Sequence, residues 1–429
     1  MSGDPRSRGR AGRLLAALNP RDGVVRKAVR AVRLNWKTPF ANLKRRTARF
    51  ETVIGVTGSA GKSTTSRLIA AVLAAESVVH LGAGINTTNG IRKTLLRPAR
   101  KARIWVQEIS GHERDAMKAS VDFVRPTVGV VTTIGMDHLG HYKSPEAIAD
   151  GKAQLVEALP ASGLAILNAD DPLVMAMASR TPARIVTYGR HSEANVRLLS
   201  CAVGYPERLS MRVGIGGEEF EVKTRFIGER WVTSILAAVA TAHALGVKPD
   251  RIAELIGRVE PELFKDDVHI HSGVTFIVDT HKAPYWTIQS SIDILAAADA
   301  PRKLMLIGTI SDYRGTARRK YVAVAKAALA EAQIVIFYGP QAERVRRLKP
   351  EYQDRLFTFE TFDMLMPFLK ATLRQDDMIY IKGSRIDHLE RAMLDYESPI
   401  SCHVTSCEKF YTCNQCKYLH RQPHRAASR

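Results

Sequence analysis

With 429 residues, the chain is long enough for two or three hydrophobic cores. Its 45% hydrophobic and 25% charged content is that of a globular protein and excludes a disordered or collagenous one. No run of eighteen apolar residues is present, and Leu14 to Leu18 is too short for a signal-peptide core, so a cytoplasmic protein is expected. The net charge of +20 suggests a nucleic-acid binder until it is divided along the chain. Residues 1–50 hold 14 Lys+Arg against 2 Asp+Glu, and residues 402–429 hold 5 against 1, which leaves the body near +4. The basicity belongs to the ends, and nucleic acid is not the expected partner.

Residues 1–22, rich in Arg, Gly, Ser and Pro, read as an arm. Val24 to Trp36 places Val25, Val29, Val32 and Trp36 on one face among arginines, which predicts a short basic amphipathic helix. It reads as packed on the following domain, with membrane-surface or nucleic-acid contact as the competing readings.

Phe50 to Val56 has the β-branched, apolar character of a buried strand, and Thr64 to Ala75 repeats apolar residues at helical spacing. Between them runs Gly55-Val56-Thr57-Gly58-Ser59-Ala60-Gly61-Lys62-Ser63-Thr64. The GxxxxGK[ST] frame starts at Val56, so the pattern lacks its first glycine while Gly61, Lys62 and Ser63 keep their places, and Gly58 supplies the bend. Strand, glycine turn and helix N-terminus together form a phosphate cradle. Lys62 is expected at the β- and γ-phosphates, and the Ser63 hydroxyl, with Thr64 as a substitute, at a Mg²⁺ ion.

Gly82 to Gly90 is a loop by composition, followed by the basic segment Arg92 to Arg103. Ile104 to Gly111 reads as a buried strand ending in Glu108, a candidate Mg²⁺ ligand if the strand shares a sheet edge with the phosphate loop. Pro126 to Ile134 is a further strand, followed by Asp137-His138 and a helix from Ser144-Pro145-Glu146 to Leu159 that contains Lys152. Ala165 to Pro172 closes another strand in the polar turn Asn168-Ala169-Asp170-Asp171. Alternating strands and helices predict an α/β fold with a mostly parallel sheet and ligands at the carboxyl ends of its strands.

The phosphate loop, Glu108, Asp137-His138-Leu139, Lys152 within Ala149 to Ala153, and Asn168-x-Asp170-Asp171 stand in the order and spacing of the Mur ligase family, which the chain resembles. The resemblance extends through Phe226 to Ala238 and through Asp279-Thr280-His281-Lys282-Ala283-Pro284. Gly308 to Arg319 is similar to a loop of the member that adds the third peptide residue. Ile379 to Arg385 matches the Lys-Gly-Ser-Arg strand end of the member that adds D-alanyl-D-alanine. The resemblance covers residues 51–398 and implies a P-loop central ATP-binding domain (51–260) and a Rossmann-like C-terminal domain (261–400), to which composition adds a basic arm (1–50) and a Cys-rich basic tail (401–429).

The activity implied is ATP-dependent amide ligation between a carboxylate and an amine through an acyl phosphate, with ADP and phosphate released. Lys62, Glu108, His138 and Lys152 are the catalytic candidates; Ser63, Glu108 and His138 are the Mg²⁺ candidates. Lys152 by itself reads as a solvated residue of an amphipathic helix, whereas the resemblance implies a carbamylated lysine whose new oxygens approach the metal. Asn168, Asp171, His281 and Lys282 are candidates for the nucleoside, and Arg314 and Arg385 for a carboxylate or phosphate. Two departures accompany the match. The family's UDP-sugar-binding N-terminal domain has no evident counterpart in residues 1–50, and Arg230, Trp231, Ser234 and Thr133 stand where the family has His or Asn. The ATP machinery is therefore expected to be kept and the acceptor side to differ. Conventional ligation of UDP-muramoyl peptides and a non-catalytic nucleotide-binding protein are the alternatives.

The tail holds Cys402, Cys407, Cys413 and Cys416, with His403 and His420 nearby. Four thiols so close together predict a metal, Zn²⁺ first, with an iron–sulfur cluster or redox-active thiols as the other readings and a protein or carrier as the partner served. Cys201 stands alone and reads as packing.

Overall fold

The computed structural model describes residues 38–96, 101–111, 114–135, 144–407 and 411–421. The helix expected over Val24 to Trp36 lies outside them. Thr38–Thr47, within the basic N-terminal stretch, forms a helix that buries Ala41, and its Arg45 donates from Nη2 to the Val124 carbonyl at 2.8 Å. Basic composition therefore does not keep this part of the chain in solvent: one small apolar face suffices to seat it.

The first sheet has nine strands in the order β2-β3-β1-β4-β5-β6-β7-β8-β9. They are β1 (Thr52–Thr57), β2 (Val79–Gly82), β3 (Ile104–Glu108), β4 (Val128–Val131), β5 (Leu164–Asn168), β6 (Arg184–Gly189), β7 (Val196–Ala202), β8 (Ser210–Ile215) and β9 (Glu218–Lys223). Pairing is parallel from β2 through β7, and β7, β8 and β9 form an antiparallel edge. Apolar runs such as Thr52–Thr57 and Val128–Val131 are buried on both faces, as parallel strands between helix layers must be. β1 lies at the centre, paired with β3 in a register that sets Val56 opposite Glu108 and with β4 in one that sets Thr57 opposite Val131. Cys201 of β7 packs against the edge of this core.

The second sheet runs β10-β11-β15-β12-β13-β14, parallel except for the β10–β11 hairpin. Its strands are β10 (Lys265–His271), β11 (Val274–Asp279), β12 (Arg302–Ile307), β13 (Ile334–Tyr338), β14 (Leu356–Phe359) and β15 (Asp377–Lys382). Helices on its two faces enclose two clusters, one around Ile277, Met305 and Tyr380 and one around Phe276, Leu304 and Ile381. This is the α/β plan expected, a P-loop unit with a mostly parallel sheet followed by a Rossmann-like one. No helix among the described residues is long and apolar enough to cross a membrane.

Candidate functional site

The helix after β1 spans Lys62–Leu73, two residues earlier than its apolar periodicity predicts. The reason is Gly61, whose φ of 77° turns the chain straight into helix, so that Lys62 is already helical. The first N–H groups of that helix have no acceptor within it and are aimed at the loop. Gly58 is equally constrained, because a Cβ there would strike the Thr132 side chain. Ser59 N donates to Thr133 O at 2.7 Å, and Thr132 Oγ1 donates to Ala60 O at 2.6 Å, so the end of β4 braces the loop.

Glu108 leaves the end of β3 beside this loop. Its Oε2 accepts from Ser63 Oγ at 2.7 Å and from Gly84 N at 2.8 Å, and Oε1 accepts from Asn86 Nδ2 at 2.9 Å. Burial alone raises the affinity of this carboxyl for its proton; Lys62 and these three donors outweigh burial and hold it below its ordinary value. Lys62 Nζ meanwhile donates to the carbonyl of Gly58 at 2.7 Å. A hydroxyl and an ionised carboxylate 2.7 Å apart are hard oxygen donors, the donor set that fits Mg²⁺. Sequence reasoning missed the supports of Glu108. Gln107 Nε2 donates to Gly82 O, Ile85 O and Glu108 O at 2.8–2.9 Å, which shapes the loop that presents Gly84 and Asn86. The polar Gly/Asn/Thr composition of that loop was the available signal; the helix Thr88–Leu96 within the stretch read as loop and basic segment was not anticipated.

Lys152 lies on the helix Pro145–Glu157, which starts where Ser144 and Pro145 predicted, with Ser144 Oγ accepting from Ala147 N at 3.2 Å. Lys152 is 3% exposed, which corrects its reading as a solvated surface residue. Thr64 is buried behind Ser63. Asp137 and His138 lie outside the described residues.

Asn168 and Asp171 are engaged by their own chain. Asn168 Nδ2 donates to Thr132 O at 2.8 Å. Asp171 Oδ2 accepts from Thr133 Oγ1 at 2.9 Å and Ile134 N at 2.7 Å, while Oδ1 caps the helix beginning at Pro172 through Leu173 N and Val174 N. Both therefore join the ends of β4 and β5 to each other, and Thr133, the departure noted above, takes part in that junction.

Three loops at the carboxyl ends of β11, β12 and β15 gather the remaining candidates. Arg385 Nη2 lies 2.7 Å from His281 Nε2 and 3.0 Å from Nδ1. Burial first, then the charges of Lys265 and Arg385, push His281 down to about 3, so the imidazole is neutral beside the guanidinium. Lys282 and Arg314 are exposed on the neighbouring loops. Asp387, which carried no sequence signal, ties two of the loops together: it accepts from Thr309 N (2.8 Å) and Oγ1 (2.7 Å) and from Ser384 N (3.0 Å) and Oγ (2.9 Å).

The joint between the sheets is ionic. Arg230 pairs with Asp266 and, at 2.9 Å, with Asp279, whose Oδ2 also accepts from Lys382 Nζ at 2.5 Å. Burial opposes the Asp279 charge, but Lys382 and Arg230 more than offset it and keep the carboxyl below its ordinary value. Burial and the adjacent Asp279 push Asp266 up to about 6. Arg230, the residue at the family's His position, thus reaches across to the second sheet. Ser234, on the helix Val232–Ala244, packs so closely on Gly61 that a Cβ there would lie 2.6 Å from its Oγ. Trp286 lies against Gly135, and Arg67 of the P-loop helix pairs with Glu262 at 2.9 Å. A cavity of about 350 Å³ lies beside this joint, lined among others by Gly228, Arg230, Ser290 and Ile294.

Of the tail thiols, only Cys413 belongs to a group of three or more potential metal ligands among the described residues, and its companions are His388 and Glu390. The expected four-cysteine set is not gathered there; the Cys413 Sγ lies in the second core, where burial and Glu390 push its thiol far up.

A glycine turn at a helix N-terminus, an acid on the adjacent strand and a second sheet joined over the same edge define a two-unit P-loop α/β protein. Residues 56–242 match the Mur ligase middle domain, and over this stretch the chain is similar to the Mur ligases. It is 32% identical over 249 residues to the UDP-N-acetylmuramoyl-tripeptide--D-alanyl-D-alanine ligase of Mycobacterium bovis, covering 57% of this chain and 49% of that one. The chain thus spans about half the length of the Mycobacterium relatives it matches. With the Bacillus subtilis ligase of the same name it shares 27% over 361 residues, 81% of this chain and 77% of that one. The MurF ligase from Thermotoga maritima, solved in complex with ADP, superposes with a TM-score of 0.75 at 20% identity, covering 85% of this chain and 84% of that one. Crystal structure II of MurF from Acinetobacter baumannii gives 0.77 at 21%, covering 84% and 80%.

Proposed function

We propose that the protein is an ATP-dependent ligase that forms an amide bond between a muramoyl-peptide-type carboxylate and an amine, releasing ADP and phosphate. The observation that carries this reading is the meeting of Ser63 with Glu108, 2.7 Å apart at the head of the P-loop helix with Lys62 beside them. A plain strand-to-helix turn has no use for an ionised, buried carboxylate at that point. The names of the relatives supply the substrate class, a UDP-N-acetylmuramoyl tripeptide with D-alanyl-D-alanine as the amine.

In this reading Lys62 exchanges the Gly58 carbonyl for β- and γ-phosphate oxygens, and the loop N–H groups fix the phosphate chain. Ser63 and Glu108 hold Mg²⁺, with His138 as a further ligand. The ion, when bound, offsets the negative charge that develops on the phosphoryl oxygens. Lys152, buried in its helix, serves as a carbamate rather than an ammonium. Arg385, oriented by neutral His281, and Arg314 meet the acyl substrate or the phosphate.

The test is ADP and phosphate release from MgATP with a panel of acids and amines that includes UDP-muramoyl tripeptide and D-alanyl-D-alanine. Release that requires this pair is the expected result; release with another acid–amine pair keeps ligation and replaces the substrate, and ATP binding without release for any pair removes the ligase reading. Lys152→Ala is expected to lose turnover while binding ATP, with activity restored by short-chain carboxylates. Unchanged activity in that variant removes Lys152 from the site.

A further inference from the structure

The tail builds a cluster that ligation does not use. Cys413 Sγ lies 3.3 Å from His388 Nδ1, and the same Nδ1 lies 3.1 Å from Glu390 Oε1. The three donor atoms fall within 4.8 Å of one another, and all three residues are buried. Tetrahedral coordination at ordinary Zn–S, Zn–N and Zn–O lengths sets sulfur and nitrogen about 3.5 Å apart and nitrogen and oxygen about 3.3 Å apart. The sulfur–nitrogen and nitrogen–oxygen edges need to open by only about 0.2 Å to receive the ion.

A hydrogen-bonded relay accounts for the arrangement less well. In a thiol–imidazole–carboxylate relay the imidazole turns one nitrogen to the thiol and the other to the carboxylate. Here one nitrogen faces both, and it carries at most one proton. Convergence of sulfur, nitrogen and oxygen on one point suits a shared cation. The Cys413 N–H donates to Glu390 Oε1 at 3.1 Å, the type of outer hydrogen bond that orients a ligating carboxylate.

We propose that His388, Glu390 and Cys413 bind one structural Zn²⁺ ion that clamps the tail onto the loop carrying Arg385. A mixed sulfur, nitrogen and oxygen set selects Zn²⁺ over Mg²⁺, which takes oxygen ligands. On binding, the Cys413 thiol loses its proton to solvent and the thiolate forms the metal–sulfur bond. Cys402 stands outside this group of three and would have to move its sulfur in to take the fourth position: its carbonyl accepts from Arg391 Nη1 at 3.0 Å and its Sγ lies 3.9 Å from that nitrogen, while Arg391 Nε donates to His388 O at 3.1 Å. The tail is also pinned on the other side of the loop, where Cys407 N donates to Ile386 O at 3.1 Å. His388 follows Arg385 by three residues, so the clamp holds the base of the loop from which Arg385 reaches His281.

The experiment uses the full chain, dialysed against metal-free buffer, with zinc per chain measured by mass spectrometry and the ligands counted by X-ray absorption at the zinc edge. About one zinc per chain is expected, with one or two sulfurs among nitrogen and oxygen ligands. His388→Ala and Cys413→Ser are each expected to weaken Zn²⁺ binding by about 100-fold or more, and Cys416→Ser to leave it unchanged. Three or four sulfurs around the zinc assign it to the cysteines alone and overturn the proposal. So does a wild-type chain that takes up no zinc when Zn²⁺ is added, a result that does not depend on the folding of any variant.

Discussion

The carboxyl ends of the two sheets carry similar charges and use them in opposite ways. At the first sheet, Lys62 and Ser63 are half-buried and their partners, a loop carbonyl and Glu108, are groups that phosphate oxygens and a cation can replace. At the second sheet, Asp279 lies between a buried Lys382 and a partly buried Arg230, so each charge is already answered by protein. A binding site needs charges whose partners can be exchanged; a joint between domains needs charges that cannot find another partner.

Removing the pivot of the joint is the largest disturbance available. Asp279→Ala leaves the buried Lys382 without its carboxylate and the partly buried Arg230 with Asp266 alone, and a loss of about 3–5 kcal/mol is expected in urea unfolding. Stability within about 0.5 kcal/mol of wild type would erase the contrast between the two ends. Lys62→Ala should do the reverse, with phosphate release falling about 10²–10³-fold and the unfolding midpoint unchanged. A parallel loss of stability would make Lys62 a structural residue.

A smaller effect sharpens the comparison through pH. His281 is held neutral in the fold, down to about 3, whereas its ordinary value is 6.5, so the unfolded chain binds the extra proton first. Its contribution to stability is present above pH 6.5 and is lost as the pH falls toward 3, up to about 3 kcal/mol near pH 4. His281→Gln should therefore flatten the acid limb of a stability–pH curve, and an unaltered limb would show that the imidazole is protonated in the fold. The smallest effect is at the start of the Lys152 helix, where Ser144→Ala removes the bond to Ala147 N and should cost about 1 kcal/mol by thermal unfolding.

Several of these features were legible before the fold was known because they are local. The Gly58 and Gly61 turn, the Ser144-Pro145 helix start and the strand ending in Glu108 depend on φ, capping and periodicity within a few residues. Where sequence reading went astray, a distant partner decided. Lys152 reads as a surface residue from its amphipathic helix alone and as a site residue only through the resemblance, and it is buried. Asn168 and Asp171, candidates for the nucleoside, also join the ends of β4 and β5, a role that only the register of those strands reveals. Cys413 sits among thiols in sequence and beside His388 and Glu390 in space.

The sequence by itself determined the α/β plan, the phosphate loop and the likeness to the Mur ligases, since apolar periodicity, glycine placement and motif spacing are written along the chain. Tertiary structure alone decided which charges face ligands and which face each other. Arg230 and Lys382 lie far apart in the chain and meet at Asp279, because a buried cation is stable only where folding delivers an anion to it.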